Sequence, residues 1–258
     1  MHLSLEGQRA IVTAAGSGAG RVIAETFAAN GAAVHVCDVA EDHLEAFRRD
    51  NPEIGASLAD VGVAEQVERL FDEALAALGG LDVLVNNAGI AGPTAAVEDL
   101  DPADWDRVMA VNISGHFYCV RRAVPAMKEA GGGAIVNISS TSGRTGLPLR
   151  AAYAVSKHAV MGLTETLARE LGPADIRVNT ILPGWINNER GRRVVETKAE
   201  ALGIPVDELK AEMTEFISLR CMIEPVEIAN MALYLCSEAG RHISGQAIGV
   251  CGNVEYER

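Results

Sequence analysis

Short apolar runs alternate with longer amphipathic segments from one end of the chain to the other. Seven of these runs are rich in Val, Ile and Ala and too short for helices, so they are predicted strands: Arg9–Thr13, Ala33–Cys37, Ala56–Leu58, Val83–Val85, Ala134–Ile138, Arg177–Ile181 and Ala247–Val250. The intervening segments with helical character are Arg21–Asn30, Glu41–Arg49, Ala64–Leu78, Asp104–Met127, Ala152–Leu171 and Pro225–Cys236. This alternation predicts an α/β fold with a doubly wound, seven-stranded parallel sheet and helices on both faces.

Two dipeptides mark helix starts, and one segment departs from the alternation. Asp101-Pro102 and Glu224-Pro225 each place a proline in the first turn, where its missing N–H does no harm. Residues 187–215 are charged and helix-prone, and they follow the sixth strand. We expect a substrate lid there, with a solvated helical hairpin as an equal alternative. The whole of 1–258 is expected to form a single domain.

Composition excludes several classes of partner. The formal net charge of the 258 residues is −13. Binding to nucleic acid or to an anionic membrane surface requires a basic footprint, so neither is expected as a partner. The chain has no leader-like N-terminus and no uninterrupted apolar run of about 18 residues. We therefore predict a soluble, cytoplasmic protein.

The cysteines indicate a reducing compartment. They are five in number, widely spaced and set among apolar neighbours: Cys37, Cys119, Cys221, Cys236 and Cys251. No C-x-x-C pair suggests zinc or redox chemistry, so we predict free thiols and no metal site.

The first predicted strand leads into a glycine-rich turn and then into a helix. The turn includes Thr13, Ser17, Gly18, Ala19 and Gly20. Backbone amides at the N-terminus of a helix can bind a pyrophosphate if no Cβ atom stands in the way. The turn alone is weak evidence, because the G-x-G-x-x-G spacing fails at Arg21 when counted from Gly16. A purely structural turn is the alternative.

The end of the second strand makes a nucleotide site more specific. Asp38 follows Gly20 by eighteen residues, where a carboxylate can accept hydrogen bonds from both hydroxyls of the adenosine ribose. The same charge repels a 2′-phosphate, and no Arg or Lys stands at 15–17 or 39–40 to hold one. NAD is therefore the predicted cofactor, whereas a helix cap is the alternative role for Asp38.

Three side chains supply candidate chemistry. Ser140 precedes Tyr153 by thirteen residues, and Lys157 follows Tyr153 by four, which places the phenol and the ammonium on one helix face. An ammonium near the phenol favours the phenolate, so this pair can serve as a proton carrier beside a nicotinamide. Taken singly, the three residues also fit a strand-end cap, a helix-start aromatic and a surface charge.

Taken together, these motifs resemble the short-chain dehydrogenase/reductase family, and the resemblance covers essentially the whole chain. The residues that carry it are Thr13, Gly18-Ala19-Gly20, Asp38, Asp60-Val61, Asn86-Asn87-Ala88-Gly89, Asn112, Ser140, Tyr153, Lys157 and Pro183-Gly184. The resemblance implies a Rossmann fold and hydride transfer between a secondary alcohol and NAD.

The resemblance also implies roles for individual residues. The Asp60 carboxylate and Val61 amide flank the adenine. Asn87, Ala88 and Gly89 lie beside the cofactor, as do Tyr153 and Lys157, and the nicotinamide carboxamide follows Pro183, Gly184, Ile186 and Asn188. Ser140 binds the substrate oxygen, Tyr153 moves the proton, and the Asn112 side chain holds a water that links Lys157 to solvent.

Two departures from the family pattern concern the cofactor. Ala14 replaces the usual glycine after Thr13, at a cost of about 1 kcal/mol if its φ is positive. Asn188 replaces a usual threonine, so its bond to the carboxamide has a different geometry.

The substrate is less well defined by the sequence. Arg144, Arg150 and Arg190, with Trp185, lie near the predicted catalytic residues or in the lid. Guanidinium groups there suit a carboxylate, phosphate or sulfonate, and the arrangement is partly similar to that of 3-hydroxybutyrate dehydrogenases. A neutral sugar or polyol is the alternative, in which case the arginines form surface salt bridges.

The helix that contains Lys157 predicts how the protein assembles. Lys157 is the only formal charge between Ala151 and Leu163, so more than one face of this helix requires burial, and we expect a homo-oligomer, a tetramer or a dimer. A catalytically idle NAD-binding sensor and a non-redox lyase are the rival functions.

Overall fold

A single parallel sheet organises the protein. The computed structural model describes residues 3–188, 191–192, 195–196, 199–200 and 203–254. Its strands are β1 (Arg9–Thr13), β2 (Ala33–Asp38), β3 (Gly55–Leu58), β4 (Val83–Asn86), β5 (Gly133–Ile138), β6 (Ile176–Pro183) and β7 (Ala247–Val250). They pair in the order β3-β2-β1-β4-β5-β6-β7, every pair parallel. The predicted doubly wound sheet is confirmed, and each predicted strand lies within one or two residues of the observed bounds.

Helices cover both faces of the sheet. They are α1 (Gly18–Ala29), α2 (Glu41–Asp50), α3 (Ala64–Leu78), α4 (Pro102–Met109), α5 (Gly115–Ala130), α6 (Ala151–Leu171), α7 (Val206–Thr214) and α8 (Pro225–Cys236). Side chains of α1, α2 and α8, among them Phe27, Phe47 and Leu235, form one buried core with the sheet. Side chains of α3 and α5, among them Phe71 and Met127, form the second core on the opposite face.

Both predicted proline-marked helix starts are confirmed. Asp101 is the N-cap of α4, where its Oδ1 accepts a hydrogen bond from the Ala103 amide at 2.8 Å. Glu224 and Glu227 form a reciprocal capping box at the start of α8. These bonds satisfy backbone amides that have no partner inside the helix.

Two helix predictions need correction. The segment predicted as one helix, Asp104–Met127, contains α4 and α5 joined by a π-helical turn at Ala110–Ser114. The first helix starts at Gly18 rather than at Arg21, so the glycine-rich turn supplies its first residues. Glycine is a poor helix former in isolation, but close packing against neighbouring backbone requires it here.

The predicted functional residues gather at the carboxyl ends of the strands. Thr13, Asp38 and Asn86 end β1, β2 and β4, and Ser140 follows β5 by two residues. The strand order reverses direction between β1 and β4, which opens a crevice where α/β proteins bind ligands. Within the described ranges, no helix is both long and apolar enough to cross a bilayer.

The candidate lid is helical where the structure describes it. Residues 191–192, 195–196 and 199–200 are helical, and α7 follows. Val195, Ala199 and Leu209 are buried against one another and form a small separate cluster. This arrangement agrees with either alternative, a lid or a helical hairpin.

Candidate active site

The glycine-rich turn is held in a strained, close-packed conformation. Ala14 has a φ of 50°, the left-handed region that glycine adopts most easily. A Cβ atom on Gly20 would lie 2.4 Å from the Ala14 carbonyl oxygen and 2.5 Å from the Asn87 Nδ2. Only glycine fits at position 20, and the strain expected at Ala14 is present.

Hydrogen bonds join this turn to the end of β4. The Thr13 hydroxyl accepts from the backbone amides of Asn87 and Ala88, at 3.0 and 3.1 Å. The Asn87 side chain donates back to the carbonyl oxygens of Thr13 and Ala14, both at 3.0 Å. Thr13 and Asn87 therefore hold the glycine-rich turn against the loop after β4, and the resemblance places both beside the dinucleotide.

The Asp38 carboxylate lies against the same turn. Its Oδ2 accepts from the Gly16 amide at 3.0 Å, and its Oδ1 accepts from the Ala40 amide at 3.1 Å. Asp38 is buried, with 7% of its surface exposed. Each carboxylate oxygen has a second lone pair, so the group can still accept from ribose hydroxyls.

The predicted adenine residues have partners that the sequence did not reveal. Asp60 forms an ion pair of 2.7 Å with Arg107 of α4, and its Oδ1 accepts from the Gly62 amide at 2.9 Å. Val61 is buried, and a Cβ on Gly115 would come within 2.9 Å of its Cγ2. Gly115 thus lets α5 pack directly on Val61.

The two serines after β5 have different surroundings. Ser139 is buried, and its hydroxyl donates to the Lys157 carbonyl oxygen at 2.7 Å. The Ser140 hydroxyl oxygen accepts from the Ser142 amide at 3.1 Å, at the start of a short helical turn. Among the described residues the Ser140 hydroxyl donates to no protein acceptor, so its proton is available to a ligand, whereas the Ser139 proton is used within the protein.

Tyr153 and Lys157 meet on one face of α6, as their spacing predicts. The Lys157 Nζ lies 5.8 Å from the centre of the Tyr153 ring and donates to the Ile138 carbonyl oxygen at 2.9 Å. A Cβ on Gly89 would come within 3.1 Å of Nζ, so the loop after β4 borders this ammonium. Burial lowers the pKa of Lys157 to about 8.

Asn112 lies in the π-helical turn and is completely buried. Its Oδ1 accepts from the Ile90 amide at 2.8 Å, and its Nδ2 donates to the Ile90 carbonyl and to the Ser156 hydroxyl, both at 2.9 Å. Both N–H groups of the amide are therefore used within the protein. The side chain fastens the loop after β4 to α6. Its role in holding a water that links Lys157 to solvent remains a prediction, and of the amide atoms only Oδ1 is left to bind that water.

These contacts fit a nicotinamide dinucleotide. The first turn of α1 contains Gly18 and Gly20, a carboxylate lies at the end of β2, and a buried ammonium bonds the last carbonyl oxygen of β5. Comparison with known proteins decides the family. A family model described as enoyl-(acyl carrier protein) reductase matches residues 13–253. The chain belongs to the short-chain dehydrogenase/reductase family.

Relatives of this short-chain dehydrogenase/reductase act on different hydroxy or keto compounds. D-beta-hydroxybutyrate dehydrogenase of Cupriavidus necator is 35% identical over 247 residues, 93% of this chain and 95% of the relative. The structure of 7 alpha-hydroxysteroid dehydrogenase with NADH and 7-oxo glycochenodeoxycholic acid has a TM-score of 0.89 at 34% identity, covering 99% and 97% of the two chains. L-sorbose reductase from Gluconobacter frateurii, with NADPH and L-sorbose, has a TM-score of 0.94 at 28% identity and full coverage of both chains.

The segment after β6 is held by contacts with β7 and with Ile223. The Gly184 amide donates to the Val250 carbonyl at 2.9 Å, and a Cβ on Gly184 would lie 2.8 Å from the Cys251 Cα. Ile186 forms an isolated bridge with Ile223. The Asn188 Oδ1 accepts from the Gly191 amide at 2.7 Å, so this oxygen already serves the backbone of the candidate lid.

The residues predicted to bind substrate lie in different surroundings. Arg144 is exposed and donates to the carbonyl oxygen of Ala247, the first residue of β7, so the structure does not bring its guanidinium to Tyr153. Arg150 lies with its Cζ 5.5 Å from the centre of the Tyr153 ring. Trp185 is 39% exposed. Arg190 lies outside the described residues.

Two histidines border the site and were missed by the sequence analysis. His43 of α2 lies 3.3 Å from the Ser17 hydroxyl through Nδ1, beside the turn that Asp38 supports. His116 of α5 is buried, with its Nε2 3.3 Å from the Ala88 carbonyl oxygen. Burial, reinforced by the nearby Lys157, lowers the pKa of His116 to about 3. A lone histidine in a helix gives no sequence signal for either contact.

Proposed function

We propose that this protein is an NAD-dependent dehydrogenase that moves a hydride between a secondary alcohol or ketone and nicotinamide. The observation that carries this proposal is the pairing of Tyr153 with Lys157, whose buried ammonium lies 5.8 Å from the centre of the Tyr153 ring. Ser140 follows the end of β5 in the same site. Hydride transfer from a hydroxyl-bearing carbon needs one group to take the hydroxyl proton and another to hold the oxygen.

Each residue has a distinct task in this proposal. Tyr153, as phenolate, accepts the proton of the substrate hydroxyl, and in the reverse direction it returns that proton. Lys157 stabilises the phenolate by charge, and Ser140 donates a hydrogen bond to the substrate oxygen. When bound, the nicotinamide ring takes up the hydride or supplies it.

The environment of Asp38 supports NAD rather than NADP. Its carboxylate is fixed by the Gly16 and Ala40 amides and is therefore held at the end of β2, where the adenosine ribose binds in this fold. A fixed negative charge there favours two ribose hydroxyls and opposes a 2′-phosphate. Solved relatives use NADH or NADPH, so Asp38 is the specific basis for this choice.

For the substrate, we propose a small polar or anionic hydroxy compound such as a hydroxy acid. The 35% identity to D-beta-hydroxybutyrate dehydrogenase supports this class. A neutral sugar or polyol is the second candidate, because Arg150 already donates to two protein oxygens and a structural relative reduces L-sorbose.

Three broader predictions belong to this proposal. Residues 187–215 serve as the lid of one domain that spans 1–258, and the protein is cytoplasmic.

The protein is a homo-oligomer, supported by Phe117 on α5 and Val155 on α6, which are 50% and 45% exposed although both are apolar. Light scattering coupled to size-exclusion chromatography at micromolar concentration measures this directly, and a monomer would refute it.

A substrate panel with NAD and NADP tests the proposal. The panel contains D-3-hydroxybutyrate, its uncharged methyl ester, sugar acids and xylitol, and absorbance of the reduced nicotinamide reports turnover. We expect turnover with NAD, and Tyr153→Phe should lower kcat by about 10²- to 10⁴-fold while the protein still binds NAD. Tyr118→Phe, a tyrosine on α5 outside the site, is the matched control and should retain activity. NAD binding without turnover of any alcohol would instead favour the idle sensor.

A further inference from the structure

Two loops are fastened together above Tyr153. The Arg150 guanidinium donates through Nη1 to the Thr94 hydroxyl at 3.2 Å and through Nη2 to the Ala91 carbonyl at 3.1 Å. The Ala95 amide donates to the Leu149 carbonyl at 3.0 Å. We call these three hydrogen bonds the clasp. It joins segment 91–95, which follows the loop after β4, to the residues immediately before α6.

The clasp is maintained at a local cost. Leu149 has a φ of 64°, a conformation that side chains other than glycine rarely adopt, and its own side chain is 54% exposed. Burial of that side chain therefore does not explain the strain. The Arg150 Nε is buried and finds no hydrogen-bond partner among the residues that the structure describes. A strained backbone and an unpaired buried donor are typical of a geometry that is kept for function.

The guanidinium also lies over the Tyr153 ring. Its Cζ is 5.5 Å from the ring centre, and the Lys157 Nζ is 5.8 Å from the same centre. Both distances are within the range of cation–π attraction, and a phenolate ring attracts cations more strongly than a phenol ring. The clasp thus fixes one of the two cations that face the proposed proton carrier.

We propose that Arg150 is a positioning residue, which fastens segment 91–95 over the start of α6 and holds the Tyr153 ring in its reactive orientation. This inference rests on the proposed function, because it assigns Arg150 a task in the same reaction. It differs from the anion-binding role, since two of the guanidinium nitrogens are committed to protein oxygens.

The two roles of Arg150 lead to different substrate dependence. An arginine that only binds a carboxylate matters for D-3-hydroxybutyrate and not for its methyl ester, which has the same reacting carbon without the charge. An arginine that positions Tyr153 matters equally for both. The comparison of these two probes therefore separates positioning from anion binding.

The kinetic test uses Arg150→Gln, Arg150→Lys and Thr94→Val. We expect Arg150→Gln to lower kcat about tenfold for both the acid and the ester, with the KM for NAD changed less than about twofold, because the loss is one of orientation. Arg150→Lys should recover part of kcat, and Thr94→Val should lose a smaller part. Arg241→Gln, an exposed arginine paired with Glu238, is the control and should leave both constants unchanged. Unchanged kcat on the ester in Arg150→Gln would overturn the proposal.

A second measurement needs no turnover. Hydrogen exchange followed by mass spectrometry reports on a peptide that covers residues 91–97, which contains the Ala95 amide. Arg150→Gln should raise its exchange rate severalfold, because the loop loses two of its three clasp bonds. Unchanged exchange would refute the clasp even if the protein oxidised none of the tested alcohols. Rapid exchange in the variant with no turnover by the parent would instead leave the clasp standing and reject the proposed function.

Discussion

Asp38 must satisfy two sets of hydrogen-bond donors at once. The backbone amides of Gly16 and Ala40 already bind its two oxygens, and a bound ribose adds hydroxyl donors to the same group. A carboxylate has enough lone pairs for both sets, whereas an amide side chain has half as many acceptor atoms. Cofactor choice and the shape of the glycine-rich turn are therefore coupled through this single residue.

Asp38→Asn tests that coupling. The change removes the negative charge at nearly constant size, so we expect kcat/KM for NAD to fall about 10- to 100-fold and the ratio of NADP to NAD turnover to rise. The ratio isolates the charge effect, because both cofactors use the same turn. Asp42→Asn, an exposed acid in the first turn of α2, is the control. An unchanged ratio would mean that Asp38 does not select between the cofactors.

At the scale of elements, Arg177 of β6 completes the C-terminus of α8. Its Nη1 donates to the carbonyl oxygens of Leu235 at 2.6 Å and Gly240 at 3.0 Å. Carbonyl groups in the last turn of a helix have no partner within the helix, so the partly buried guanidinium stabilises them by hydrogen bonding and by its charge. Burial also lowers the pKa of Arg177, although the group remains a cation at any ordinary pH.

Arg177→Met should destabilise the fold without touching the site. The apolar replacement fills similar space but leaves buried carbonyl oxygens unpaired, so we expect a loss of about 2–3 kcal/mol in the free energy of unfolding. Urea denaturation measures this difference. Arg121→Gln removes an exposed ion pair with Glu68 and should change stability by less than about 1 kcal/mol. Equal effects of the two substitutions would contradict the capping role of Arg177.

How far the sequence predicts an element depends on whether its cause is local. Alternating apolar runs predicted all seven strands, because the apolar character that buries a strand belongs to the residues of that strand itself. The break between α4 and α5 was missed, since the contacts of the π-helical turn are distant in sequence: Asn112 bonds Ile90, a residue 22 positions away.

The same distinction holds within the candidate site. The spacing of Tyr153 and Lys157 was visible in the sequence because one helix turn joins them. The bonds of Arg144 to Ala247 and of Arg150 to Thr94 cross 103 and 56 residues, and no local pattern encodes them.

At the scale of the whole molecule, two histidines are kept uncharged by burial. His116 of α5 is held neutral against the loop after β4, and His35 of β2 is a second buried histidine whose pKa is lowered by burial. Neutral imidazole avoids repulsion with the Lys157 ammonium in the same region. This arrangement lowers the free energy of unfolding when the pH falls.

Stability should therefore fall on mild acidification. Free histidine titrates near ~6.5, whereas folded His116 titrates at about 3. Between those values the unfolded chain binds a proton that the folded protein does not, so the free energy of unfolding decreases as pH falls and is fully retained only above about 6.5. From pH 7 to pH 5 we expect His116 to contribute a loss of about 2 kcal/mol. His35 changes stability in the same direction.

Replacement of His116 should flatten this dependence. In His116→Asn the titrating group is absent, so urea unfolding at pH 7 and pH 5 should differ by about 2 kcal/mol less than in the parent protein. The pH interval stays above the range in which most carboxylates titrate, so their contribution to the difference is small. His158→Asn replaces an exposed histidine on α6 and should keep the parental difference. If His116→Asn lost as much stability as the parent on acidification, the buried neutral imidazole would not be the cause, and the acid sensitivity would have to come from another group in the fold.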